Sequence, residues 1–389
     1  MRTTIGMTLA VVLTIGLTGC GAGNYRRGMA AYNHADYTAA VRELQPGAER
    51  GHAGAQFTLG VMYENGQGVE RNASQAVEWY RQAAEQGEPA AQNNLGVAYY
   101  HGIGVKANPV AAAKWYQSAA EQHFAPAEYN LGMTYLLGRG VEQNDAEAAK
   151  WFTRSAEQGH ANAQYALASM VHEGRGVQRD DHRAAELLRD AAEQGHAVAQ
   201  ANLGVMYLKG RGVKANDKQA IHWLKRAAEQ GHATAQSNLG LLLLAGRDTK
   251  TNDAEAARWL KAAAGQGVAE ARYALSWMLT RGQSVSRNPQ QAFKWCRLAA
   301  EQNLPNAQHQ LGMMFALGRG VDADPITADM WFTLAAEAGY SASIAQRDLI
   351  EQRMTDDQID EARRRAAHWR QTHPASPQQI AEVEVPLDD

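Results

Sequence analysis

Cysteine is nearly absent from this chain, which has two cysteines in 389 residues. A fold held together by disulfides needs many more, so packing must stabilise this protein. An excess of one charge is also missing. The 38 Lys and Arg residues nearly balance the 41 Asp and Glu residues, which gives no global signal for a polyanionic partner. No sufficiently long apolar run follows residue 19, so no membrane-spanning helix is predicted beyond it.

The local signatures of several enzyme classes are missing too. The chain contains no Ser-x-x-Lys, Gly-x-Ser-x-Gly, His-Glu-x-x-His or Walker motif. Gly-x-Gly loops do recur, but no strand is predicted before them, as a nucleotide-binding loop would require. We therefore predict a protein that is not an enzyme and has no cofactor and no metal site.

A period of 36 residues organises what is present. Gly, Ala and Trp columns keep the same register as a column of eight leucines, without insertion or deletion. The leucines are Leu59, Leu95, Leu131, Leu167, Leu203, Leu239, Leu275 and Leu311. A unit of this length cannot bury its apolar face alone, so neighbouring units must stack into a solenoid.

Each unit predicts two helices. In the unit from Glu88 to His123, Leu95 and Tyr99 share one face of a first helix, called helix A here, which should end at Gly102. Asn108 stands where the N-cap of a second helix, helix B, is expected. The corresponding residues are Asn72, Asn108, Asn144, Asp180, Asn216, Asn252, Asn288 and Asp324. Two such helices with short turns form an antiparallel αα-hairpin.

These residues resemble a known family. The motif that carries the resemblance is Trp115, Ala119, Ala120, Glu121, Gln122, Asn130, Leu131, Gly132, Tyr135, Gly138, Arg139, Gly140 and Val141. It is similar to the Sel1-like repeat, a relative of the tetratricopeptide repeat. The resemblance implies an all-α, right-handed αα-hairpin solenoid with eight repeats over residues 52–339. Residues 20–51 are expected to contain a shorter tetratricopeptide-like hairpin, from Tyr25 to Glu49.

Two capping helices are predicted after the repeats, over residues 340–370. The first should run from about Ala342 to Gln352 and carry Ile344, Leu349 and Ile350. The second should run from about Asp356 to Arg370, because Thr355 and Gln358 have the spacing of a capping box. The charged run 363–365 fits the solvated outer face of such a cap better than a nucleic-acid site. Residues 371–389 are predicted to form a disordered tail.

Residues 1–19 resemble a bacterial lipoprotein signal peptide. Arg2 is followed by an apolar stretch too short to span a bilayer, and Leu17, Thr18, Gly19 and Cys20 form a lipobox. The resemblance implies lipidation of Cys20. Because Gly21 is not an Asp, it also implies an outer-membrane protein that faces the periplasm. An ordinary secretory signal cleaved elsewhere is the alternative.

Three further features have both a structural and a functional interpretation. Cys296 lies in a column whose other residues are large and apolar, which favours a buried role for it over a nucleophilic one. His52, His160, His196 and His232 share one column, but repeats about 10 Å apart cannot share one metal ion, so loop or cap roles are favoured. The Trp column could stack glycans or bases, although its register with the Ala column favours core packing.

Helix A is predicted to carry the binding surface, because it lines the inner face of tetratricopeptide-like superhelices. The residue before the repeated Leu is often Asn, and the residue before that is often aromatic. Methionines just beyond the Leu are either adaptable contacts or core filling. The candidates are Asn93, Asn94, Asn130, Asn202, Asn238, Tyr129, Tyr165 and Tyr273.

From this surface we predict a non-catalytic scaffold that binds a protein or peptide and not nucleic acid. The resemblance suggests roles in envelope assembly, exopolysaccharide export or host interaction. A cysteine-rich branch of the family is associated with β-lactam binding or hydrolysis, but this chain lacks its cysteine pairs. An envelope hydrolase or β-lactam-binding protein, or a cell-wall glycan binder, is the alternative.

Overall fold

The computed structural model describes residues 20–246, 252–282 and 285–374, and residues 20–22 only in their backbone. These ranges contain twenty helices and no strand, as the all-α prediction requires. The predicted signal peptide and residues 375–389 of the predicted tail lie outside the described residues. So do Asp248 and Ser284, which replace the second glycine of the loop between helices A and B in the sixth and seventh repeats.

The helices alternate between the two predicted types. Helices A are α3 (Ala53–Asn65), α5 (Pro89–His101), α7 (Ala125–Leu137), α9 (Ala161–Glu173), α11 (Ala197–Lys209), α13 (Ala233–Leu244), α15 (Ala269–Arg281) and α17 (Pro305–Leu317). Helices B are α4 (Ala73–Glu85), α6 (Pro109–Ala120), α8 (Asp145–Glu157), α10 (Asp181–Glu193), α12 (Asp217–Glu229), α14 (Asp253–Gly265), α16 (Pro289–Ala300) and α18 (Pro325–Glu337). The flanking helices are α1 (Cys20–Asn33), α2 (Tyr37–Glu49), α19 (Ala342–Glu351) and α20 (Asp356–Thr372).

Each helix B begins at the Asn or Asp predicted as its N-cap. The Asn108 side chain, for example, accepts a hydrogen bond from the Ala111 N–H, and the Asp324 side chain accepts from the Ile326 and Thr327 N–H groups. The caps satisfy donors that a helix start leaves without partners. At α20, Thr355 and Gln358 form the complete capping box that their spacing predicts.

Two glycines shape the turn between helices A and B. Gly102 ends α5 with a φ of 72°, a left-handed conformation that glycine adopts without a Cβ penalty. Gly104 lies against the first turn of the preceding helix B, where an added Cβ would be 2.2 Å from the Ala73 carbonyl oxygen. The loop can therefore pack onto the neighbouring repeat only without a side chain at this position.

Contacts divide the chain into two units, Met1–Gln178 and Arg179–Asp389. Among the described residues, the first unit contains α1–α9 and the second contains α10–α20. Within each unit, helices A and B of one repeat pack as a hairpin, and each helix B packs on the helix A that follows it. The repeated leucines are at most 5% exposed, so they are part of the buried core that these contacts form.

The two ends differ in detail from the prediction. Helix α1 begins at Cys20, five residues before the predicted start at Tyr25, and α20 continues to Thr372, past the predicted boundary at Arg370. Helix α19 forms as expected, but Ile344 is 44% exposed and Leu349 is 53% exposed. Because α20 packs against α18, these two apolar side chains of α19 are left open to solvent.

Among the helices described over 20–246, 252–282 and 285–374, none combines the length and apolarity that crossing a bilayer requires.

Candidate binding surface on helix A

One side of helix A stays partly open after the helices have packed. In α5 it consists of Ala90, Asn94, Val97 and His101, which follow each other at intervals of four, three and four residues and therefore share a face. The first three are half-buried and His101 is exposed. We call these four positions, in every repeat, the helix-A stripe. It includes the column in which the candidate asparagines Asn94, Asn130, Asn202 and Asn238 lie.

The four asparagines of the stripe are not equally accessible. Asn202 is exposed and Asn94 and Asn130 are half-buried, but Asn238 is only 9% exposed. Leu241, the next stripe residue of α13, is also buried, because α13 packs against α15 as well as its own helix B. The surface is thus open at Asn94 and Asn130 in the first unit and at Asn202 in the second. It is nearly closed at Asn238.

In the first unit, three candidate amides form a chain of hydrogen bonds. The Asn130 Nδ2 donates to the Asn93 Oδ1 at 2.8 Å, and the Asn93 Nδ2 donates to the Asn94 Oδ1 at 3.3 Å. Asn93 is 6% exposed, so it acts mainly as a link between α5 and α7. The structure therefore brings Asn93, Asn94 and Asn130 together and leaves the outer amides of this chain at the surface.

The candidate tyrosines lie beside the stripe, toward the next repeat. The Tyr129 ring centroid is 5.7 Å from that of Phe152 on its own helix B and 5.2 Å from that of His160 in the next repeat. Burial raises the pKa of the Tyr129 hydroxyl, so the side chain stays neutral at physiological pH. Tyr165 and Tyr273 occupy the same helical position and are half-buried. Tyr129 therefore contributes to inter-repeat packing, whatever it adds to binding.

The methionine and tryptophan columns are mostly core. Met62, Met170, Met206, Met278 and Met314 are all at most 7% exposed, as gap-filling side chains would be. The tryptophans Trp151, Trp223, Trp259 and Trp331 are at most 8% exposed, so their faces are not free to stack on a glycan. The core interpretation of these columns is confirmed at these positions.

The histidine column caps helix A. The Nδ1 atoms of His52, His160, His196 and His232 accept hydrogen bonds from the backbone N–H three residues later. A neutral imidazole can accept in this way, and burial lowers the pKa of His160, His196 and His232, which favours that neutral form. The cap interpretation is thus confirmed. Within the described ranges, no three His, Cys, Asp or Glu side chains are grouped as a metal site would need.

Cys296 is fully buried, as its column predicts. Its thiol donates to the Ala307 carbonyl oxygen at 3.4 Å, and burial raises its pKa to about 12. A thiol with so high a pKa forms almost no nucleophilic thiolate near neutral pH.

The sequence interpretation missed a ladder of buried glutamines. On helix A, Gln92 donates to the Ala84 carbonyl oxygen of the preceding helix B at 3.1 Å, and it accepts from Gln122 Nε2 at the end of its own helix B at 2.8 Å. The residues that repeat the carbonyl bond are Gln56, Gln164, Gln200, Gln236 and Gln308. This glutamine ladder ties helix A to the preceding helix in these repeats, and at Gln92, Gln200 and Gln236 it also reaches the end of the same repeat's helix B, so it orients the stripe. Its signal was available, because the glutamines recur at the 36-residue spacing.

The ladder changes chemistry at repeat 3. Glu128 takes the place of the glutamine, has no exposed side-chain surface and pairs with Arg154 at 3.0 Å. Burial raises the pKa of the Glu128 carboxyl, and the Arg154 guanidinium opposes that rise. The Arg154 guanidinium also donates to the Ala120 carbonyl oxygen at 3.3 Å, which restores the link to the preceding helix B.

A shallow groove lies away from the stripe, in the second unit. It has a volume of about 700 Å³ and is lined by His182, Arg189, Tyr207, Lys214 and Gln219, among others. Arg189 donates to the Tyr207 hydroxyl at 3.4 Å, so one basic side chain of the groove already has a hydrogen-bond partner within the protein.

Comparison with known protein families finds a repeated match along the chain. The Sel1 repeat matches eight times, at residues 53–88, 89–124, 125–160, 161–196, 197–232, 233–268, 269–304 and 305–340. A comparison with proteins of curated function gave no match.

Two solved structures are similar over long stretches. One is c5321, a protective antigen of uropathogenic Escherichia coli strains with an SLR fold. It is 27% identical with a TM-score of 0.57, and the match covers 96% of this chain and 97% of that one. The other is a Sel1 repeat protein from Oxalobacter formigenes, 35% identical with a TM-score of 0.56, for which 62% of this chain and 96% of that one are covered.

Proposed function

The chain belongs to the Sel1 repeat family, and we propose that it is a non-catalytic scaffold that holds a protein or peptide on the open part of its helix-A stripe. In this proposal the scaffold is anchored to the bacterial outer membrane through Cys20 and faces the periplasm. Sel1 repeats typically mediate protein–protein interaction. The lipobox at Leu17–Cys20 supports the anchor. The role would lie in envelope assembly, export of exopolysaccharide or host contact.

The stripe at repeat 5 carries this proposal. Exposed Asn202 lies between half-buried Val198 and Val205, and exposed Lys209 follows on the same face. An Asn amide can donate to and accept from the backbone of an extended peptide, and the valines offer apolar contact to its side chains. The polar and apolar groups needed to hold a peptide are therefore side by side on α11.

Capture by a variant tests the stripe. Cross-linking and pull-down from cell envelopes should recover a defined protein with the unaltered chain. Capture by Asn202→Ala should fall about tenfold if the amide contributes about 1–2 kcal/mol. Gln219→Ala is the matched control, because Gln219 is an exposed amide on helix B of the same repeat. Undiminished capture by a folded Asn202→Ala variant would contradict the assignment of the stripe.

Catalysis is tested separately. The chain should neither turn over nitrocefin nor cleave muropeptides. Turnover that a single substitution abolishes would replace the scaffold proposal with the hydrolase alternative.

Membrane fractionation tests the anchor. Cys20→Ser should move the protein from the membrane to the soluble fraction, because the acyl chains would have no thiol to which they could be joined. Cys296→Ala removes the other cysteine and should leave the protein in the membrane fraction. Retention of Cys20→Ser in membranes would show that lipid at Cys20 is not the anchor.

A further inference from the structure

Three successive helices B present pairs of basic side chains on their exposed surface. The members of each pair are three residues apart, so they lie next to each other on one face of the helix. The pairs are His222 and Lys225 on α12, Arg258 and Lys261 on α14, and Lys294 and Arg297 on α16. All six side chains are exposed. We call these six residues the basic band.

The basic band is only partly neutralised by its neighbours. Lys225 is 3.9 Å from a Glu255 oxygen, and Arg297 is 3.4 Å from a Glu301 oxygen. Within the described part of the chain, no ion pair is found for Lys261 or Lys294. The sequence explains Lys261, because Gly265 occupies the position where the neighbouring helices B have a glutamate.

The same two positions are not uniformly basic in the other repeats. Repeat 1 has Glu78 with Arg81, and repeat 4 has Glu186 with Arg189, so each of these pairs combines one acidic and one basic side chain. Repeats 2 and 3 have a single cation each, Lys114 and Lys150. Pairs of basic side chains at these two positions are therefore confined to repeats 5–7.

A complementary acidic segment follows α20 in the sequence. Residues 375–389, outside the described part of the chain, contain Glu382, Glu384, Asp388 and Asp389 and no Lys or Arg. The described chain reaches this segment beside α16. The His373 carbonyl oxygen accepts from the Asn303 Nδ2 at 3.1 Å, and Asn303 follows the last residue of α16 by three positions.

The length of the segment is sufficient to reach the basic band. Packed helices lie 8–10 Å apart, so two helices B that pack on the same helix A are separated by at most about 20 Å. Glu382 is nine positions beyond His373, which allows a span of up to about 30 Å, and Asp389 could reach about 50 Å. The carboxylates can thus reach the cations of α16, α14 and α12.

We propose that residues 375–389 bind the basic band. The exposed surface of the helices B in repeats 5–7 is then a site for acidic polypeptide, and the chain's own acidic segment occupies that site. This site is distinct from the helix-A stripe. Each exposed ion pair contributes about 0.2–1 kcal/mol, but the tether holds the segment at an effective concentration on the order of millimolar. A competing acidic partner would have to displace the segment.

Zero-length cross-linking of the full chain tests the contact. Carbodiimide treatment should join the amines of Lys225, Lys261 and Lys294 to the carboxylates of residues 382–389, and mass spectrometry identifies the linked peptides. Lys114 and Lys150 are control amines, because they are exposed lysines at the helical position of Lys294 and have no second cation three residues later. A mixture of isotope-labelled and unlabelled chains separates links within one chain from links between chains. Links that are absent, equally frequent at the control lysines or found only between chains would overturn the proposal.

Protease sensitivity gives an independent measurement on the full chain. A chain that carries Lys225→Glu, Lys261→Glu and Lys294→Glu should be cleaved within residues 375–389 about ten times faster. The loss of three exposed ion pairs would account for a change of this size. High salt should have a similar effect on the unaltered chain. Lys114→Glu with Lys150→Glu should leave the rate unchanged. Equal cleavage rates in the two charge-reversed chains would also overturn the proposal.

Discussion

Single residues set how closely helix A approaches helix B. An added Cβ at Gly96 would lie 2.6 Å from the Tyr116 Cε1 and 3.3 Å from the Ala112 carbonyl oxygen. We expect Gly96→Ala to destabilise the chain by about 1–3 kcal/mol, because the Tyr116 ring must leave its packed position. Gly265→Ala is the control, since Gly265 is exposed on α14 and its Cβ would meet no atom within 4 Å. Urea unfolding should show a lower midpoint only for Gly96→Ala, and equal midpoints would contradict the steric argument.

The residue after the repeated Leu is small in every repeat, which indicates a close approach of another helix but not which side chain fills the space. The structure shows that it is the residue after the Trp column, as Tyr80 is for Gly60. In repeat 7 both partners change, to Ser276 and Cys296. The Ser276 hydroxyl then donates to the Ala292 carbonyl oxygen at 2.7 Å. Such compensation joins residues 20 positions apart in sequence, so a column considered alone cannot reveal it.

Asp329 is a buried carboxylate at a position that is apolar in the other repeats. It has no exposed surface, and neither carboxylate oxygen has a hydrogen-bond partner within the described residues. Burial and nearby Glu351 raise its pKa to about 6, while Arg347 and Arg363 act in the opposite direction. The folded state therefore keeps a proton that the unfolded state loses from about pH 4 upward.

This predicts a stability that falls as pH rises from about 4 to 6, by up to about 3 kcal/mol, and then stays low. Asp329→Asn should remove that fall and be more stable than the unaltered chain at pH 7. Chemical unfolding at several pH values measures both effects. Asp190→Asn changes an exposed Asp on α10 and should keep the fall. A parallel pH profile for Asp329→Asn would exclude this carboxylate as its source.

At the scale of helices, the glutamine ladder predicts a specific rescue. Arg154→Met should destabilise the chain by about 3–5 kcal/mol, because Glu128 would then be a buried carboxylate without its cation. Glu128→Gln together with Arg154→Met should recover most of that loss. The amide at position 128 could donate to the Ala120 carbonyl oxygen, as Gln92 does to Ala84. A double-mutant cycle by urea unfolding measures the coupling, and additive effects of the two substitutions would contradict it.

The helices themselves were predictable, but the way that they meet was only partly so. The 36-residue period, the Asn and Asp caps and the capping box at Thr355 are local patterns, and they gave the correct helices. The glutamine column recurs at the same period, but a polar side chain does not itself show whether it is buried. The exposure of Ile344 and Leu349 depends on the packing of α20 against α18, a long-range choice that helical periodicity does not encode. For the same reason the sequence could not show that Asn202 is open while Asn238 is closed.

At the scale of the whole chain, a repeat protein is stabilised by contacts between neighbours, so each end needs a cover. In the second unit, α20 covers α18. Ala362 and Ala366 are at most 1% exposed, and the Trp369 ring centroid lies 4.9 Å from that of Trp331. The Arg370 guanidinium also pairs with Glu337 at 2.6 Å. Helix α20 is therefore part of the core at this end.

A chain that ends at Tyr340 should expose Met330, Trp331 and Leu334 of α18, which are at most 8% exposed when α20 is present. We expect this chain to self-associate, because the uncovered side chains form a contiguous apolar patch. Amide exchange should become faster in α17 and α18 and stay unchanged in α3–α8, because a repeat contacts only its neighbours. Light scattering and hydrogen-exchange mass spectrometry measure the two effects, and a chain that ends at Pro374 and keeps α20 is the control. If protection fell equally in α3–α8, the stability of the first unit would depend on this cap, and the nearest-neighbour description would fail.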